Sequence, residues 1–434
     1  MKRMLFFVAG LLFASGLRSQ SLYFPPVSGS EWATLPPESL NFCPDKVQKL
    51  YEFLDKKESK AFILLKDGKI VLEKYFDNHT KDSLWYWASA GKTLTAFLFG
   101  IAAEEKSVDL NQKTSFYLGK NWTSLSESQE EQIKVLHQLT MTTGLDDGVA
   151  DRDCTLPACL KFKAAPGTRW AYHNAPYTLL DKVLEKATGK NLNQYVAEKI
   201  LLQTGISGLF VRTNGFNNVF FSTPRSFARF GLLLLNKGTW NGKEVLKDKE
   251  YFSKMTNSSQ NLNPSYGYLT WLNGKSKFML PTLQTVFNGD LVPDAPDDAF
   301  FALGKNGQII AVIPSENMVF IRMGEEEGNN LVPTTLPNDI WKQIKQLACD
   351  KPTGVEDENY FAELKVYPNP TKDFFVIDFA FENNFKTEVF DLTGRKITEF
   401  ENTKNIKLKP DNKTCLLLKI SSGNNYVWRK LFLE

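Results

Sequence analysis

Ser89-Ala90-Gly91-Lys92-Thr93-Leu94-Thr95-Ala96-Phe97-Leu98-Phe99-Gly100-Ile101-Ala102-Ala103-Glu104-Glu105 decides how this chain reads. From Gly91 to Glu105 the residues are apolar nearly all round, which predicts a buried helix rather than a surface one. Just before it stands Ser89, the one serine in the chain with a lysine three residues on. At that spacing on a helix, Ser89 and Lys92 share one face, a turn apart. A helix start favours developing negative charge at the serine. Drawn into apolar surroundings, the lysine loses solvation and its pKa falls, which makes it a usable base. The same four residues also fit a helix cap followed by a snorkelling lysine, so the remainder of the chain has to decide.

Working outward, Cys43 to Ser59 carries apolar residues at helical spacing (Val47, Leu50, Tyr51, Leu54). Ala61 to Phe76 is β-rich around Lys66-Asp67-Gly68-Lys69, and Asp-Gly between two such runs signals a hairpin. Asn174 to Thr188 and Ser226 to Lys237 are further helix candidates. Phe300 to Met323 returns to β character, with two strands turning at Pro314-Ser315-Glu316-Asn317, and Pro337 to Cys349 reads as an amphipathic helix. This order predicts an α/β (α+β) fold: an antiparallel sheet built from both ends of residues 42–350, flanked by helices, with a mostly helical domain between them.

Several function classes are excluded or disfavoured. The 434 residues suggest two domains plus extras, and 42% hydrophobic content suffices for a large core. A net charge of +3 gives no support to a nucleic-acid partner. Only His79, His137 and His173 exist, no Gly-x-Ser-x-Gly elbow occurs, and no histidine pair or Cys-x-x-Cys has zinc-ligand spacing. If the chain is an enzyme, the expectation is that its base is not histidine and that it uses no metal or cofactor.

Two further stretches join Ser89 and Lys92. Pro166-Gly167-Thr168-Arg169-Trp170-Ala171-Tyr172-His173-Asn174 holds Tyr-x-Asn before a helix, and Phe301-Ala302-Leu303-Gly304-Lys305-Asn306-Gly307-Gln308 holds Lys-Asn-Gly at the start of a strand. With Ser-x-x-Lys, in this order, they resemble the serine β-lactamase and penicillin-binding-protein superfamily, nearest its class C and esterase-like branch. Met141-Thr142-Thr143-Gly144-Leu145 and Ser222-Thr223-Pro224-Arg225-Ser226-Phe227-Ala228-Arg229-Phe230-Gly231 resemble two further family stretches. The likeness runs from about residue 43 to 349.

The resemblance implies roles. Ser89 attacks a carbonyl and is acylated, Lys92 and Tyr172 share its proton, and Asn174 orients Lys92 or a substrate amide. Lys305 supplies positive charge, with Asn306 and Gly307 beside it in the substrate site. The backbone N–H groups of Ser89 and Gln308 form an oxyanion hole. His173 fills a variable position. Asn306 stands where the family carries threonine, and Met141 where it carries histidine. The implied activity is cleavage of an ester or amide bond in a small-molecule or peptide-like substrate. A D-alanyl-D-alanine peptidase, a true β-lactamase, and a catalytically silent binding protein on the same fold remain alternatives.

The two ends read differently. Residues 1–19 have the Lys2-Arg3 start and short apolar core of a signal peptide. Residues 20–41 look like an extended leader, and 351–364 like a polar linker. Residues 365–434 form short β-like runs, which predicts a small β-sandwich. Val366-Tyr367-Pro368-Asn369-Pro370, Val389-Phe390-Asp391-Leu392-Thr393-Gly394-Arg395-Lys396 and the ending Arg429-Lys430-Leu431-Phe432-Leu433 resemble the C-terminal sorting domain of type IX secretion substrates. That resemblance implies a type IX machinery partner and a secreted or cell-surface location. Export permits disulfides, and the expected pairs are Cys154–Cys159 and Cys43–Cys349.

Overall fold

The computed structural model describes residues 22–325, 331–349, 355–356, 360–381, 384–408 and 415–434. The expected signal peptide, residues 1–19, lies outside them. The chain divides into two compact units, residues 1–348 and 349–434, each with its own apolar core.

In the larger unit, helix α1 (Pro44–Lys56) leads into strands β1 (Ser59–Lys66) and β2 (Lys69–Tyr75). Asp67 and Gly68, with φ of 51° and 81°, make the tight turn between them. Two successive positive-φ residues match the right-handed twist of the strands, which is why Asp-Gly is so readable here. Helix α2 spans Gly91–Glu104, α3 Asn174–Thr178, α4 Leu180–Thr188 and α5 Pro224–Leu235. Strands β3 (Trp271–Leu272), β4 (Phe300–Gly304), β5 (Gln308–Ile313) and β6 (Met318–Gly324) follow, then helix α6 (Thr335–Lys345).

These strands form one antiparallel sheet in the order β2-β1-β6-β5-β4-β3. The first and last strands of the region thus meet at β1 and β6, as the sequence order predicts. Every residue of β5 and β6 is buried, because helices cover both faces. Helix α5 lies against β1, β5 and β6. Gly231 permits this: a Cβ there would come within 2.6 Å of Val319. Helices α1 and α6 pack together, and the Cys43 N–H donates to the Leu347 carbonyl at 2.9 Å, so the start of the first helix meets the end of the last. Residues Gly91 to Ala102 of α2 are all buried, as its all-round apolar character requires.

The leader is part of this fold. Trp32 is buried and its indole N–H donates to the Gly68 carbonyl at 2.8 Å, while Tyr23 N–H donates to Asp67. Cys154 pairs with Cys159, and Cys43 and Cys349 are each disulfide-bonded.

The smaller unit contains a five-stranded and a three-stranded sheet. In Cys415–Ser422 burial alternates residue by residue, the mark of a strand with one face on a core. Phe361 and Leu364, which the sequence reading leaves in the linker, are buried in that core. The sorting-domain motifs hold the unit's turns and ends together. Asn369 bonds Lys430 and Phe432 on the last strand, and the Asp391 carboxylate accepts the N–H groups of Thr393 and Arg395 around Gly394, whose φ is 85°.

Candidate active site

Ser89 stands in a single 3-10 turn, Ala88–Ala90, that runs directly into α2. Ala88 has a φ of 45°, a left-handed conformation that costs a non-glycine residue energy and persists only where its surroundings hold it. Those surroundings are rigid. Trp87 is fully buried, its backbone N–H donates to Phe220 at 2.8 Å, and its indole N–H donates to Ser222 Oγ at 2.7 Å. From the other side β4 ends at Gly304, where a Cβ would sit 2.4 Å from the Trp87 carbonyl and 2.9 Å from Ala90 N. Only glycine lets the strand approach the serine turn so closely.

Lys92 Nζ donates to Ser89 Oγ at 2.9 Å. The lysine is 4% exposed, and its ammonium lies 4.3 Å from the Tyr177 ring centre and 5.1 Å from that of Tyr172. Burial pushes its pKa down to about 7, and the Asp153 charge partly opposes this. At neutral pH a large fraction is therefore the free amine, able to accept a proton.

Tyr172 is buried, its ring stacked on Trp271 and flanked by Trp170 and Tyr266. Burial raises the phenol well above its ordinary pKa, and nearby Ser89 opposes this. Its hydroxyl completes no hydrogen bond of ordinary geometry among the described residues. It is thus a protonated phenol aimed at the serine, not a phenolate. His173, buried beside it, is held neutral by a pKa lowered to about 4.

Asn174 opens α3, and its Nδ2 donates to Asp153 Oδ1 at 2.8 Å. A cleft of about 300 Å³ brings together Ser89, Lys92, Tyr172, Asn174 and Lys305. It does not include the other three residues that the sequence singles out. Asn306 bonds Tyr86 at 2.7 Å and Glu325 at 3.1 Å. Gly307 faces Arg322. The Gln308 side-chain amide exchanges two bonds with the backbone of Gly324. Asn306 and Gly307, with φ of 61° and 74°, form the turn between β4 and β5, and Arg322 donates to both of their carbonyls from beneath.

Sequence reasoning missed Asp153, Arg152, Tyr177, Asn217 and Asn218, which also line the cleft. Tyr177 was reachable, since it lies three residues from Asn174 on the predicted helix. No local signal marks the others, which arrive on separate loops and strands. Among the described residues no cluster of three or more His, Cys, Asp or Glu could hold a metal.

An antiparallel sheet flanked by helices, with a serine at a buried helix start hydrogen-bonded to a desolvated lysine, defines the class of penicillin-binding-protein-like folds. The Beta-lactamase family profile matches residues 54–335, well over half the chain, and the protein belongs to that family. The Secretion system C-terminal sorting domain matches residues 365–434, so the protein is exported through type IX secretion, to the cell surface or beyond it. No curated protein matches the chain. Solved structures give the fold. One, provisionally assigned as a 6-aminohexanoate-dimer hydrolase from Bacillus anthracis, has a TM-score of 0.56 at 20% identity, covering 74% of this chain and 87% of its own. A penicillin-binding protein homologue from Caulobacter crescentus gives 0.54 at 14% identity over 70% and 98%. A family VIII carboxylesterase gives 0.52 at 15% identity over 73% and 99%.

Proposed function

We propose that the protein is a serine hydrolase that cleaves an ester or amide bond through a Ser89 acyl-enzyme. The observation that carries this reading is the 2.9 Å bond between Ser89 Oγ and a buried Lys92 whose pKa is lowered to about 7. The free amine of Lys92 takes the Ser89 proton as Oγ bonds the substrate carbonyl carbon. Tyr172, held protonated, gives its proton to the leaving group and is reprotonated by the Lys92 ammonium, which returns Lys92 to the free amine. Water then attacks the acyl carbon with Lys92 as base, releasing the acid and restoring Ser89. The Ser89 N–H is one oxyanion donor. Because Gly304 abuts the serine turn, the second falls to Lys305 N–H rather than to Gln308. Each such donor contributes about 2.7–4 kcal/mol to the transition state. Lys305 and Arg152 give the cleft a positive side.

Substitution tests the shared machinery. Lys92→Ala and Tyr172→Phe should each remove most turnover on an activated ester, and the double variant should lose little more than the worse single one, because the residues act as a unit. Near wild-type rates for either single variant would overturn this mechanism.

A further inference from the structure

Lys92 gains a charge at a place where no opposite charge meets it. When Ser89 gives up its proton, the amine becomes an ammonium with three N–H groups, buried at the root of the cleft. Among the described residues it bonds Ser89 Oγ at 2.9 Å and forms no ion pair. An unpaired charge away from water is costly, so the site has to stabilise it in another form.

Two aromatic rings flank Nζ, with centres 4.3 Å away for Tyr177 and 5.1 Å away for Tyr172. A cation over a ring face is attracted by the ring quadrupole, most strongly where water is excluded. Tyr172 already has a proton to deliver, whereas Tyr177 has no such task. The Tyr177 phenol is buried and stays protonated, since burial and then the Asp181 charge raise it far above its ordinary range. It therefore meets the lysine as a neutral π face.

The ring is fixed at both ends. Its hydroxyl lies 3.2 Å from Thr95 Oγ1, one turn beyond Lys92 on α2. At its base, the Pro176 carbonyl accepts from Gln138 Nε2 at 2.7 Å. The charged groups around the lysine have other partners or the wrong sign. Asp153 attracts the ammonium through space but is bonded to Asn174 at 2.8 Å. Asp181, one turn past Tyr177, is bonded to Asn218. Arg152 and Lys305, across the same cleft, carry like charge.

We propose that Tyr177 is a positioning residue whose ring face receives the charge that Lys92 gains as it takes the Ser89 proton, so that a buried base holds a full ammonium with no carboxylate against it. The proposal rests on Ser89 as nucleophile and Lys92 as its base. The proton moves from Ser89 Oγ to Lys92 Nζ, and Tyr177 keeps its own.

The rate of fluorophosphonate labelling at Ser89, followed on the full-length protein from about pH 5 to about pH 10, reads the Lys92 acid limb. In Tyr177→Leu the limb should move about one pH unit lower, a roughly tenfold stronger lysine acid. The plateau above it should fall about threefold, because a weaker base takes the serine proton. Tyr177→Phe keeps the ring and drops the hydroxyl, so it should hold the limb within about 0.3 unit of wild type. Fluorinated phenylalanines in place of Tyr177 keep the ring's size while draining charge from its face. Across that series the limb should fall stepwise with each fluorine, which carries the test should the leucine variant not fold. A limb unmoved in Tyr177→Leu, or flat across the fluorinated series, overturns the proposal and marks Tyr177 as packing alone. So does a Tyr177→Phe shift as large as that of leucine, which would assign the effect to the hydroxyl. A wild type that does not label at all would instead strike the hydrolase reading.

Discussion

Replacing Lys92 by methionine should abolish turnover and make the protein more stable. The side chain is 4% exposed, and burial lowers its pKa from 10.5 to about 7. The unfolded chain therefore binds more protons than the native one between pH 7 and 10.5, so stability should rise with pH across that window. Below pH 7 the full cost applies: about 3.5 pKa units, or roughly 5 kcal/mol at 1.36 kcal/mol per unit. Methionine fills much the same space with no charge to desolvate, but it forfeits the bond to Ser89, a loss of about 1 kcal/mol. A net gain on the order of 3–4 kcal/mol at pH 6 follows, which for a domain of this size is roughly a 6 °C rise in Tm. Thermal melts of both proteins from pH 6 to 10.5 read the effect. The gain should shrink as pH rises, cross zero near pH 10, and become a loss of up to about 1 kcal/mol above it, as the lysine of the unfolded chain also becomes neutral and only the lost bond to Ser89 remains. A Met variant that melts at or below wild type at pH 6, or a gain independent of pH, would refute a desolvated, near-neutral lysine.

Asp181 offers the opposite sign. It is buried, accepts a hydrogen bond from Asn218, and burial raises its pKa from 3.8 to about 7. The native state thus binds more protons between pH 3.8 and 7, so Asp181→Asn should stabilise by about 4 kcal/mol at pH 8 and by little below pH 4. Denaturant titrations at the two pH values measure this, and equal effects at both would contradict it. Non-reducing peptide mapping should return Cys154–Cys159 and Cys43–Cys349, and four free thiols would end the pairing scheme. A chain ending at Asp350 keeps the whole larger core and every proposed catalytic residue, so it should hydrolyse as the full chain does while failing to leave a host that uses type IX secretion. Normal secretion, or a folded but inactive truncation, would contradict the division of labour.

What was legible in the sequence was what is local in the chain. Asp67-Gly68 marks its hairpin because both residues must adopt positive φ. Ser89 and Lys92 meet because helical spacing alone brings them together. That one sheet draws on both ends of the region followed from the β-rich runs there, whereas the order of its strands did not. The third motif shows where reading by letters departs from reading by backbone. Lys305-Asn306-Gly307 matches a catalytic triplet in residue type, yet Asn-Gly between apolar runs is also the strongest short hairpin signal. The backbone uses it so, and Gly304 is the residue that touches the serine turn. Asp153 was invisible because its meaning depends on Asn174, twenty-one residues away on another element. Its neighbour Cys154 drew attention only as half of a disulfide.

The central claim is that Ser89 becomes covalently acylated. Incubating the full-length protein with a fluorophosphonate and mapping the adduct by peptide mass spectrometry tests it most directly. The account predicts one adduct, on the peptide containing Ser89, and none in Ser89→Ala, whose melting profile should remain that of a folded protein. An unlabelled wild type, or an adduct persisting on another serine in Ser89→Ala, would contradict it.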